Sequence, residues 1–408
     1  MNTQKPSGGT FGLSLASTIF TPRSPATASP ATDERNQSRG SNILNVAVLP
    51  LSRNLSSKMA NMAFCCAVLV VFIHVGTPMP SGTFPWFFIE FFRAILGDIA
   101  VPYFFLASGF FLAGHMAEPD WYLREMKKRF WTLLLPYLLW TPLYAVYLYP
   151  LKILNNLHAH QSWCWHLGPP DWIWTFGLDF FHSPLLYPFW FLRWLMFLCL
   201  ASPLLSWFAR KTRSWGVAAV YVFAVWEYVR IVYIHLGSWP GWWSWKWLEH
   251  LFGVFYFLFG ISWRMGLFAA IPGWAKRFPI WLGLTFLVAQ LISFAAVGFG
   301  IAEPDGGGGM FYTKNLLFLT PCLLALVWKC MPSGMWPIWL TGASFGIYAM
   351  HPFFINFLNS VLWFGRIGLG EGGMCMFRWV CGLGGSLVGV VVLKKYFPRI
   401  SKLLLGGR

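Results

Sequence analysis

A histidine closes one of the most apolar stretches of this 408-residue chain, where Asn61 to His74 reads NMAFCCAVLVVFIH. An ionisable group at bilayer depth costs about 3 kcal/mol on insertion scales, which makes it a candidate for function by default. Imidazole changes protonation near neutral pH, so His74 could act as a general base or as a transient covalent carrier. The plain alternative leaves it at the outer membrane interface, against headgroups or a neighbouring helix. A second histidine ends a polar stripe: Ser344, Tyr348 and His351 fall at i, i+4 and i+7, one face of an otherwise apolar helix. Pro352 follows and removes a backbone donor. A stripe of this kind lines either a cavity or a helix contact.

Several charges sit inside apolar runs. Glu90 and Arg93 share a helix face at i, i+3, and Glu227 and Arg230 repeat the arrangement. Such pairs lower each other's insertion cost and pin helix to helix. Arg93 is also close in sequence to His74 on the adjoining run. It and Arg193, in WFLR at 190 to 193, are candidates for stabilising developing negative charge. Ser108 and Gly109, in VPYFFLASGFFL, read as a packing notch; a nucleophilic Ser108 would need a base and an oxyanion site that are not evident. Arg124, Lys127, Lys128 and Arg129 crowd one side of a short helix. They suit anionic lipid headgroups or the phosphates of a nucleotide-bearing donor such as coenzyme A, and the cluster alone does not choose.

The elements that must hold these groups are set by composition. The chain is 57% hydrophobic and 11% charged, against about 25% charged in a soluble protein. The excess must face lipid. Ten apolar runs approach the ~20 residues of a span: 59–75, 85–114, 131–150, 187–209, 215–235, 248–263, 279–300, 315–330, 338–363 and 373–393. The second is too long for one straight span, and Pro102 should break or kink it. Most Lys and Arg lie in alternate connections and in both tails, the distribution of the positive-inside rule. The expected fold is therefore all-α: a polytopic membrane protein of about ten transmembrane helices with both termini cytoplasmic. Residues 1–52 form a disordered polar tail, 53–395 the membrane domain and 396–408 a basic tail.

The formal charge of +16 is explained by those loops, so membrane lipid is the expected partner and nucleic acid is not. The eight cysteines form no CxxC pair and read as small core residues. Residues 155–183 and 239–247 are rich in tryptophan, as an interfacial belt or a platform for a stacked sugar. His158, His160 and His166 lack carboxylate or cysteine partners at useful spacing, so no metal is expected. The GGGG at 306–309 reads as a loop, since no strand precedes it.

In this order, VVFIH (70–74), VPYFFLASGFFL (101–112), KKRFWTLLLPYLLW (127–140), FWFLRWLMFLCLASPLL (189–205), FYFLFG (255–260) and SFGIYAMHPFF (344–354) resemble the acyltransferase-3 family of integral-membrane O-acyltransferases. The resemblance covers about residues 59 to 395. It implies ten core helices and transfer of an acyl group, commonly acetyl from acetyl-coenzyme A, to a hydroxyl of an envelope carbohydrate or lipid-linked sugar. The thioester is a co-substrate and no cofactor is bound; the place of action is the inner (plasma) membrane. The family's catalytic first-helix histidine falls on His74, its donor-side basic segment on Lys127 to Arg129 and its late-helix histidine on His351. Arg193, Tyr348 and Ser344 would support the acceptor or the transition state. The chain departs from the pattern at Ala63, where the family carries an arginine eleven residues before the histidine: another cation such as Arg93 or Lys58 substitutes, the donor is held differently or the chain is inactive, and substitution is the expected outcome. A rival reading treats Arg93, Arg193, Glu227 and Arg230 as pathway charges of a transporter or flippase for lipid-linked or small anionic substrates. Internal repeats would favour it, and none is evident.

Overall fold

The computed structural model describes residues 48–75, 84–158, 186–234, 242–269, 271–299, 319–365 and 371–407. Most of the N-terminal tail, the GGGG segment, His160, His166, most of the stretch 155–183 and residues 239–241 lie outside them. Every regular element among the described residues is a helix.

Helix α1 (Arg53–His74) starts where the Ser52 hydroxyl accepts the Leu55 N–H at 3.2 Å, one of the N–H groups a helix start leaves unpaired. The second run does not form one rod. It divides into α2 (Phe84–Glu90), a π-helical turn (Phe91–Leu96), a 3-10 turn (Gly97–Ile99) and α3 (Ala100–Ala113). Pro102 lies in the first turn of α3 and has no N–H to give the Asp98 carbonyl, so the irregular turns fall just ahead of it. The basic helix α4 (Trp121–Arg129) leads through a second π-helical turn (Phe130–Leu134) into α5 (Leu135–His158). A 3-10 turn (Tyr187–Phe189) opens α6 (Trp190–Leu200), which meets α7 (Ser202–Ile234) at a bend of 65°. Pro203 cannot donate to the Cys199 carbonyl, which accounts for a break there that a single run over 187–209 did not foresee. The next break was expected between 209 and 215, and α7 does kink at Arg213, whose φ is 54°.

Helices α8 (Trp242–Arg264), α9 (Gly273–Gly298), α10 (Thr320–Cys330), α11 (Ile338–Thr341), α12 (Ser344–Gly365), α13 (Glu371–Tyr396) and α14 (Pro398–Leu404) complete the bundle. Among the described residues, four helical stretches are long and apolar enough to cross a membrane: Arg53–His74, Trp86–Ala113, Gly273–Ile292 and Gly372–Tyr396. The bent α6–α7 pair makes a fifth if it counts as one span. The protein is thus read as multi-pass. The other apolar runs fall on helices that are shorter or more polar.

Packing in the centre relies on missing side chains. A Cβ at Gly109 of α3 would lie 2.1 Å from the Phe257 carbonyl oxygen, and one at Gly260 of α8 2.0 Å from that of Leu106. The two backbones therefore touch, as the reading of Gly109 as a notch requires. Along α13, Gly385 and Gly389 leave room for Phe354 and Met350 of α12.

Asn61 sets the register of α1 against the later helices. It is fully buried, and its amide donates to the carbonyls of Pro332 (3.2 Å) and Gly334 (2.7 Å) while accepting the Trp336 N–H (3.3 Å). Three main-chain groups of one loop are satisfied by a single side chain. Asn61→Ala strands them, and an unmet buried polar group costs about 1–3 kcal/mol. A lowered melting temperature in detergent is expected, and an unchanged one would show that water replaces the amide.

Further bonds gather the basic segments at one end of the bundle. The Leu49 N–H donates to the Arg264 carbonyl (2.9 Å), Lys394 Nζ to that of Gly342 (3.1 Å), Tyr122 OH to that of Leu200 (3.1 Å) and the Trp140 indole to that of Leu404 (2.9 Å).

Candidate active site

Asn61 fastens the loop ahead of α11 and α12 to the first half of α1. Further along, the two helices bring their histidines together. The rings of His74 and His351 stack with centroids 5.2 Å apart and planes 13° from parallel. His351 is fully buried, whereas His74, the last residue of α1, is half-buried. Tyr187 stands edge-on to His74 at 4.6 Å and is itself 40% exposed.

The local backbone orients His351. Its Nδ1 lies 3.1 Å from the Ile347 carbonyl, which can only accept, so Nδ1 carries the hydrogen and Nε2 the lone pair. That Nε2 is buried and has no hydrogen-bond partner among the described residues. An unmet acceptor in the protein interior is costly unless something else supplies the donor. Pro352 leaves the Tyr348 carbonyl without its helical N–H, which loosens the backbone next to this ring.

The stripe on α12 does three separate jobs. Ser344 donates to the Thr341 carbonyl at 2.7 Å and ties off the helix start, about 10 Å along the axis from His351. Tyr348 donates to the Pro188 carbonyl, and its ring stacks on Phe189 at 5.8 Å. It thereby fixes the 187–189 turn that lays Tyr187 on His74. The hydroxyls of Ser344 and Tyr348 are both engaged, so neither is offered to a substrate in this state. Aromatic rings also join these helices to their neighbours. Phe72 is stacked between Phe92 (4.8 Å) and Trp379 (4.4 Å). The Asn356 amide donates to Tyr144 OH (2.6 Å), and Tyr147 OH to the Phe353 carbonyl (2.5 Å).

Arg93 lies in the π-helical turn and clasps Glu90 with two bonds, Nε to Oε1 at 2.9 Å and Nη2 to Oε2 at 2.6 Å. π-Helical turns within α-helices often mark functional positions. Arg193 is half-buried in the first turn of α6, the helix that continues from the Tyr187 turn. Glu227 and Arg230 form a pair of their own at 2.7 Å. Lys58 and Ala63 are both half-buried on α1, and Lys58 Nζ stands 4.8 Å over the Trp328 ring.

The basic segment is laced with acid that the sequence pattern did not bring forward. Glu125 is 3% exposed and lies 3.4 Å from both Lys128 Nζ and Arg129 Nη2, with His115 Nε2 at 3.7 Å. Arg124 is paired with Glu118, to which His115 Nδ1 also bonds at 3.0 Å. Lys127 is exposed. A period-based reading marks the four bases; it passes over Glu125 because one acid among them looks like surface.

The His115 bond, and then the Arg124 charge, hold the Glu118 carboxyl below the usual 4.5. A depressed carboxylate stabilises the fold above its unfolded pKa, and the gain disappears as pH falls through the folded value. Melting temperature should therefore drop more steeply in wild type than in Glu118→Gln as pH is lowered below about 4.5. The effect is small because the pair is exposed. Parallel curves would show that it contributes nothing.

A family model described as "Acyltransferase domain", that of acyltransferase 3, matches residues 62–395. No curated protein and no solved structure matches the chain.

Proposed function

Because the chain belongs to the acyltransferase 3 family, and is therefore an acyltransferase carried by several apolar helices, we propose that it moves acetyl from acetyl-coenzyme A to a hydroxyl of an envelope carbohydrate or lipid-linked sugar. His74 is the reacting group in this reading. It takes the proton of the acceptor hydroxyl as the oxygen attacks the thioester carbonyl; the carbon–sulfur bond breaks and the thiolate leaves with a proton returned to it. In the variant route the imidazole first accepts the acyl group and passes it to the hydroxyl. The observation that carries the reading is the stacked histidine pair, with one ring half-open beside Tyr187 and the other held in a single tautomer with its Nε2 unmet.

The donor enters from the basic end and the acceptor from the other. Both termini are cytoplasmic and about ten spans cross the inner membrane. Roughly 30 Å of α1 separates Arg53 from His74, so the donor's thioester arm has to reach into the bundle. Arg93 lies on the segment that follows α1, and Arg193 on the helix that continues the Tyr187 turn. Either could face the charge that develops on the carbonyl oxygen, Arg93 only after Glu90 releases it. Lys127, which has no ion pair among the described residues, meets the nucleotide.

The reading is tested with membranes carrying the protein, supplied with radiolabelled acetyl-coenzyme A and envelope carbohydrate. Label in the carbohydrate is the expected result. Label that accumulates only with a different acyl thioester would replace acetyl as the group. Carbohydrate that stays unlabelled with every thioester supplied would remove the proposed donor and acceptor together.

A further inference from the structure

The acid-paired bases of α4 leave other cations at the same end of the bundle, and two of them stand on one aromatic row. Trp328 meets Trp263 at 5.5 Å and Trp263 meets Phe110 at 5.0 Å. Lys58 Nζ lies over the Trp328 end at 4.8 Å, and the Arg264 guanidinium over the Phe110 end at 5.1 Å. Among the described residues, neither cation has an ion pair. Arg264 is the more telling of the two. Its Nε and Nη1 are shielded from solvent yet have no hydrogen-bond partner among the described residues. Its guanidinium lies against Gly114, where a Cβ would come within 3.3 Å of Nε and Nη2. The Leu49 N–H holds its backbone carbonyl at 2.9 Å, which fixes the helix end that presents it.

A guanidinium with idle N–H groups, no carboxylate and a rigid base is built to receive an oxyanion, and a phosphate fits its fork in two places at once. Aromatic rings beneath both cations stabilise the charges when no carboxylate does. We propose that Arg264 forms a phosphate subsite at the basic end of the bundle. In the transfer reaction, and resting on the reading of coenzyme A as donor, it takes a phosphate of the nucleotide; a lipid phosphate offers the same chemistry. Arg124, Lys128 and Arg129, which share the two carboxylates of Glu118 and Glu125, then contribute less to donor binding than sequence spacing implies.

The experiment compares wild type with Arg264→Ala, Arg264→Lys and Arg124→Ala, in nanodiscs of phosphatidylcholine alone, with coenzyme A binding followed by calorimetry. Arg264→Ala is expected to weaken binding at least tenfold, Arg264→Lys to recover part of the loss and Arg124→Ala to change it less than threefold. A second arm measures phosphatidylglycerol retained from mixed vesicles. Coenzyme A binding lost in Arg264→Ala with lipid retention unchanged assigns the subsite to the donor; the reverse assigns it to a headgroup. Equal values for wild type and Arg264→Ala in both arms, with matched size-exclusion profiles, overturn the subsite. Should wild type bind no coenzyme A, the donor assignment fails on its own, and the lipid arm still decides whether Arg264 holds phosphate.

Discussion

Membranes carrying His74→Ala transfer label into carbohydrate about 10²- to 10⁴-fold more slowly than wild type, the range that a positioned acid–base group supplies. The loss falls on kcat, since the imidazole acts in the transition state and not in binding either substrate. Protein level and size-exclusion profile stay as in wild type because His74 is the half-buried last residue of α1 and donates no structural hydrogen bond among the described residues. His351→Ala separates the two rings. It removes the Nδ1 bond to Ile347 and the stacking surface 5.2 Å from His74, so it lowers the rate and loosens the fold together. His351→Gln, which can still donate to that carbonyl, should recover stability before it recovers rate. Full transfer in His74→Ala would move the chemistry elsewhere and return His74 to the role of an interfacial side chain.

The sequence carries this pair only in part. His74 stands out because an ionisable side chain ends an apolar run, and His351 because Ser344, Tyr348 and His351 share a face. Spacing says which face a residue occupies and nothing about which distant helix faces it. That pairing depends on Asn61, an unremarkable amide whose three bonds to residues 332–336 set how far along α1 the later helix sits. Tyr187 was hidden for another reason. It precedes a proline at the start of an aromatic run, and its place over His74 is fixed by a bond between Tyr348 and the backbone of Pro188, which no side-chain pattern encodes. A polar aromatic at the mouth of a span was the one available signal.

Helix breaks were legible wherever a proline states its own reason. Pro102 was read as a break, and irregular turns lie just before it; Pro203 obeys the same rule and was passed over within an apolar run. Charge was the least legible property. The spacing of Arg124 to Arg129 marks a basic face, but charge available to a ligand is what remains after Glu118 and Glu125 are subtracted, and that requires the fold. Arg264 shows the converse, an isolated cation at a helix end that resembles a topology signal until its N–H groups are found unmet.

Gly109→Leu should be the most disruptive single change to the fold. The Cβ position at Gly109 is 2.1 Å from the carbonyl oxygen of Phe257, well inside van der Waals contact, and the atom it meets belongs to the backbone. A side chain could rotate away; a helix carbonyl can move only if α3 and α8 separate. Gly260 presents the same geometry from the other side, 2.0 Å from the Leu106 carbonyl, so the contact cannot be relieved by sliding one helix past the other without closing the second notch. Overpacking of a core usually costs about 1–3 kcal/mol. With backbone on both sides the cost should reach or exceed the top of that range, because close approach of small residues is what joins helices where lipid is as apolar as the protein. The expected result is aggregation on detergent extraction, or a melting temperature far below wild type, with Gly260→Leu behaving alike. Ser108→Ala is the matched control: it removes a half-buried hydroxyl one residue from the notch, so it should keep both the fold and acyl transfer. A stable, active Gly109→Leu protein would mean that α3 and α8 stand further apart than the notch requires, whereas an inactive but well-folded Ser108→Ala would return that hydroxyl to the chemistry.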